Sequence, residues 1–73
     1  MSIGELYDEI EKRLPATVSE LTRDLASSTD ATLYDVTSAV NALYRASRIK
    51  PTEDTEGKHP ALTRWELDPR GHA

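Results

Sequence analysis

The chain contains no cysteine and no phenylalanine, and its aromatic residues are Tyr7, Tyr34, Tyr44 and Trp65. Without cysteine, neither a disulfide nor a thiolate metal site can staple the fold, and a reducing cytoplasm is the expected setting. The histidines, His59 and His72, have no partner at ligand spacing, so neither a metal nor another cofactor is expected. The glycines stand at 4, 57 and 71, which makes no phosphate-cradling loop, and no nucleophile–base arrangement is found, so no enzyme is expected. Long apolar runs are missing too. No segment reaches the ~20 apolar residues that a bilayer span requires. The opening MSIGELYDEI has neither the basic flank nor the apolar stretch of a secretory signal.

What is present suits one small folded domain. At 73 residues, 37% hydrophobic and 30% charged, the chain falls in the globular range, with a core so thin that nearly every large apolar residue has to be buried. Net charge is −4, unfavourable for meeting a polyanion. Its distribution is uneven, however. Residues 1–35 hold eight acids and three bases, whereas residues 36–73 hold five acids and six bases, with Arg45, Arg48 and Lys50 clustered.

Three helix starts can be read from capping residues. Ser2 and Glu5 form a candidate capping box, and Ile3, Leu6, Ile10 and Leu14, with Tyr7 beside them, mark a buried stripe over residues 3–14. Asp8–Lys12 and Glu9–Arg13 are acid-then-base pairs four apart on the wet face, and Pro15 stops the helix. Thr17 and Glu20 form a second box opening a helix over 17–27, with Val18, Leu21 and Leu25 inward. Thr32, with Asp35, starts a third over 32–47. On it Leu33, Val36, Val40, Leu43 and Ser47 share the apolar face. Beyond Arg48 the period changes. Ile49 to Thr52 reads as a short extended edge, residues 53–60 as a polar hairpin loop, and Ala61 to Leu67 as a strand with Thr63, Trp65 and Leu67 on one face. The tail from Asp68 onward reads as frayed.

This order resembles the winged helix-turn-helix superfamily. Thr17-Val18-Ser19-Glu20-Leu21 is similar to the opening of its helix-turn-helix unit, Val36 to Leu43 to its recognition helix, Arg48-Ile49 to the exit into the wing, and Trp65-Glu66-Leu67 to the closing strand. The resemblance implies a mainly α fold of three helices plus a small β-hairpin over residues 1–68, with 69–73 as a flexible tail. It also implies a small transcriptional regulator that binds double-stranded DNA. Two glycines usual in the family are replaced here, by Ala26 or Ser27 and by Ser47, and the Leu25-to-Val36 connection is longer. A second resemblance, to winged-helix domains that bind left-handed DNA, rests on Tyr44, Pro60 and Trp65. It departs at Val40, where those domains carry asparagine.

The polar face of the third helix is the candidate site. An α-helix carrying short polar and long basic groups on one stripe reaches base edges in the major groove. Asn41 suits adenine and Arg45 suits guanine or phosphate, while Tyr34 and Ser38 suit phosphate or thymine, with Thr37 beside them. Arg48, Lys50, Lys58 and Arg64 complete the set as backbone contacts from the wing and its base. An exposed Tyr34 contributes little to folding, which points to a contact surface. So small a domain needs a second copy or a partner protein for useful affinity, with helix 1 as the dimer surface. The alternative reading is a winged-helix module that binds a protein instead, as the acidic balance suggests.

Overall fold

The computed structural model describes residues 2–71. Three helices, α1 (Ile3–Lys12), α2 (Val18–Ala26) and α3 (Leu33–Arg45), pack with strands β1 (Ala16–Thr17), β2 (Ile49–Pro51) and β3 (Arg64–Leu67). The strands form one antiparallel sheet in the order β1-β3-β2. Among the described residues, no helix is long and apolar enough to cross a membrane.

The caps act where the sequence places them. Thr17 and Glu20 exchange side-chain-to-backbone hydrogen bonds, and so do Thr32 and Asp35, satisfying donors that a bare helix start leaves unpaired. Ser2 accepts from the Glu5 amide at 3.3 Å, but among the described residues the Ser2 amide makes no return bond to the Glu5 carboxylate. Between α2 and α3 the chain is held by Thr29. Its hydroxyl donates to the Leu25 carbonyl at 2.8 Å and accepts from the Ala31 amide at 3.1 Å.

Ile10, Leu21, Leu25, Val36, Val40 and Ile49 are fully buried, each worth about 1.5–3 kcal/mol relative to exposure. Trp65 completes this core at 9% exposure, with its ring 5.2 Å from that of Tyr44. Three expected core members are not in it: Ile3, Leu33 and Leu67 are exposed. Each lies at the end of its element, where the adjoining turn no longer presents a surface to cover it. Glu9 takes both neighbouring bases, Arg13 just past α1 at 2.6 Å as expected and Lys12 at 3.5 Å in place of the expected Asp8–Lys12 pair.

All three helices are shorter than their sequence patterns suggest, and the end of α3 shows why. Ser47 adopts φ 60°, the Arg48 amide donates to the Leu43 carbonyl, and the Ser47 amide donates to that of Tyr44. This paired closure normally uses glycine at the left-handed position. Ser47 occupies the place where the resemblance expects glycine, and the backbone makes the turn nonetheless.

Two further features depart from the sequence reading. β1 has no detectable period because it is two residues long, yet it pairs Ala16 with Trp65 and Thr17 with Arg64. The segment after β3 is packed rather than frayed as far as Gly71; His72 and Ala73 lie outside the described residues. Asp68 is 1% exposed, its amide donates to the Arg48 carbonyl, and its carboxylate accepts from the Arg70 amide at 2.9 Å and guanidinium at 2.8 Å. Pro69–Gly71 then forms a 3-10 turn so close to the α3–β2 junction that a Cβ on Gly71 would lie 2.5 Å from the Ser47 carbonyl oxygen.

Candidate nucleic-acid interface

The exposed side of α3 follows from its buried side. At about 100° per residue, Val36, Ala39, Val40 and Leu43 face the core, which turns Tyr34, Thr37, Ser38, Asn41 and Arg45 outward. All five are exposed, Tyr34 most strongly at 79%. None of the five side chains makes a hydrogen bond or an ion pair with the described residues. The stripe is a continuous row of uncommitted donors and acceptors on a helix capped at both ends.

The other four expected contact residues are not gathered with it. Arg48 turns back to α1, where its guanidinium donates to both carboxylate oxygens of Glu11 at 2.7 and 3.2 Å. Those bonds, with the nearby charge of Glu11, raise the Arg48 pKa above its usual value. Arg48 therefore joins α1 to the start of β2, a role that its sequence position among bases conceals. Lys50 lies opposite Glu66 in the β2–β3 register, 3.6 Å away. Arg64 reaches Glu20 at the start of α2 at 3.2 Å. The Glu20 carboxyl is held below the usual glutamate range, first by the Thr17 amide and then by the Arg64 charge. Lys58 is exposed in the β2–β3 connection, beside Asp54 and in company with Glu53 and Glu56.

That connection is more ordered than a polar loop suggests. Thr52 and Thr55 are buried, their hydroxyls 2.8 Å apart, and the Thr55 hydroxyl accepts from the Arg64 amide at 3.0 Å. The Thr52 hydroxyl lowers the Asp54 pKa, with lesser help from Lys58 and Arg64. His59 uses Nδ1 to accept from the Ala61 amide, capping the 3-10 turn Pro60–Leu62. Among the described residues, no three His, Cys, Asp or Glu side chains are grouped to hold a metal.

The features behind the left-handed-DNA resemblance separate here. Tyr44 and Trp65 touch and Pro60 is exposed, but Val40 is buried in the core, so its position cannot present a polar group to a ligand. Sequence reasoning missed Glu11 and Glu20 as partners of the expected contact bases. Sequence spacing held no signal for either pair, because Glu11 and Arg48 are 37 residues apart and Glu20 and Arg64 are 44 apart. No family model, curated protein or solved structure matches the chain.

Proposed function

We propose that the chain is a winged helix-turn-helix domain acting as a small DNA-binding regulator, with α3 laid in the major groove. The observation that carries this reading is the uncommitted stripe of Tyr34, Thr37, Ser38, Asn41 and Arg45 on α3. Three helices followed by a β2–β3 hairpin, with β1 closing the sheet, support the fold assignment. Asn41 and Arg45 are the base-reading residues, and Tyr34, Thr37 and Ser38 hold the helix against the backbone. Lys50, Lys58 and Arg64 serve as phosphate contacts, since half-exposed surface pairs such as Lys50–Glu66 are weak and readily exchanged. Arg48 is withdrawn from the contact set by Glu11.

At net charge −4 the domain gains little from long-range attraction, so binding rests on orientation and on a second recognition unit. A twofold pair on half-sites about 10 base pairs apart provides one. The test is fluorescence anisotropy on genomic fragments across a salt series. Arg45→Ala should weaken specific binding by roughly 1–3 kcal/mol, and Lys50→Ala should act less and equally on all sequences. Failure of the folded protein to bind any fragment at low salt would end this reading.

A protein-interaction module is the second reading. The observation favouring it is that Arg48, Lys50 and Arg64 are each matched to a carboxylate of the same chain, which lowers the positive potential a polyanion would meet.

A further inference from the structure

An open groove of about 430 Å³ lies where the start of α1 meets the α2–α3 connection and the first turns of α3. Leu6 and Ala31 floor it, Ile3 and Tyr34 wall it, and the exposed Asp30 and Asp35 stand at its edge. Ile3 is 66% exposed although it heads the apolar face of α1, so little of its side chain is used in folding. Asp30 makes neither a hydrogen bond nor an ion pair with the described residues. Asp35 uses one carboxylate oxygen on the Thr32 amide, which leaves the other to accept. A second, more polar hollow of about 600 Å³ adjoins it through Asp30 and carries Glu5. Among the described residues, no lysine or arginine lines either hollow.

We propose that this end of the molecule docks a basic, amphipathic segment of another protein, with one aliphatic residue between Ile3 and Tyr34 and flanking Lys or Arg side chains at Asp30, Asp35 and Glu5. Charge complementarity selects the occupant. Phosphate is repelled by the carboxylates, and a second copy with this face on the twofold axis would bring Asp30 and Asp35 close to their own equivalents. A small apolar ligand would stay largely in water, because the groove is open along its length. The proposal goes beyond the DNA reading and does not require it. The groove shares Tyr34 and Ser38 with the α3 stripe, so peptide and DNA compete for that turn, while Ile3 and Asp30 belong to the groove alone.

The test is an amide-shift titration of the isotope-labelled protein with a capped peptide of alternating leucine and arginine. Two control peptides replace arginine by glutamate or leucine by serine. The expected result is saturable movement of the Ile3, Ala31, Tyr34 and Asp35 amides below about 1 mM peptide, with neither control doing the same. Ile3→Ser should weaken binding about tenfold, and Asp30→Asn roughly two- to fivefold, with unfolding unchanged in both. Asn41→Ala combined with Arg45→Ala should leave the peptide titration intact while removing any DNA binding. Equal response to the glutamate peptide, no saturable shift, or concentration-dependent self-association lost in Ile3→Ser would each overturn the proposal.

Discussion

The two ends of this molecule use their polar residues in opposite ways. At the sheet end, charged side chains answer one another: Arg48 with Glu11, Lys50 with Glu66, Arg64 with Glu20, and Arg70 with Asp68. Backbone and hydroxyl groups there are closed off as well, by Thr52, Thr55 and the Pro69–Gly71 turn. At the other end, the starts of α1 and α3 leave Ile3, Leu33 and Tyr34 exposed, and the outward stripe of α3 is uncommitted. Exposed large side chains do not by themselves separate the ends, since Leu62 and Leu67 are exposed at the sheet end as well; the uncommitted polar stripe of α3 does. The core itself is shared by both ends, with Ile10, Leu21, Leu25, Val36 and Val40 on the helices and Ile49 and Trp65 on the strands. The ends differ in how far their charged groups are paired.

The strongest way to break this comparison is Trp65→Ala. Removing the ring that joins β3 to Tyr44 should cost about 3–5 kcal/mol in urea unfolding, near the whole stability of a domain this size. An unchanged midpoint would show that the strands do not share in the core. Next is Gly71→Ala, which forces a Cβ against the Ser47 carbonyl and should cost roughly 1–3 kcal/mol by the same measurement. A neutral result would mean that the C-terminal turn lifts away freely.

Ser47→Gly sharpens the picture in the opposite direction. Relief of the left-handed strain at φ 60° outweighs the added flexibility of glycine, so thermal unfolding should show a gain of about 0.5–1 kcal/mol. Acid supplies a gentler probe. The Asp68 carboxyl is held below its ordinary value of 3.8 by the Arg70 side chain and amide. Its folded pKa is the lower one, so its contribution is complete above 3.8 and is lost as pH falls through the folded value. Glu9 and Glu20, both lowered from 4.5, act with the same sign. Urea midpoints should therefore fall from pH 7 to pH 3, less steeply in Asp68→Asn than in the wild type. The smallest effect is expected from Tyr34→Ser, Asn41→Ala and Arg45→Ala, each within about 0.5 kcal/mol of the wild type in thermal unfolding. A large loss from any of them would give the α3 stripe a structural role.

Much of this arrangement is legible in the sequence. Thr17 with Glu20 and Thr32 with Asp35 announced two helix starts, because a cap and its partner lie three residues apart and interact through local geometry. The inward row of Val36, Val40 and Leu43 likewise fixed the outward row of Tyr34, Ser38, Asn41 and Arg45, since one helix cannot bury both. The remaining candidates were not legible. Arg48 stands in sequence among bases and beside a strand, and nothing local indicates that Glu11 will claim it.

The sequence by itself determined where the three helices start, the capping boxes of α2 and α3, and the Val36, Val40 and Leu43 side of α3. Each depends on contacts within about four residues or on a simple period. Only the tertiary structure decided that Ala16 and Thr17 join the sheet, that Asp68 is buried, and which bases are neutralised at home. Those outcomes depend on which distant backbone arrives alongside: β3 beside β1, Ser47 beside Gly71, and α1 beside Arg48. Folding withdraws a charge from a ligand where it supplies a close two-point partner, as Glu11 does for Arg48, and less so where the pair is single and half-exposed, as in Lys50–Glu66.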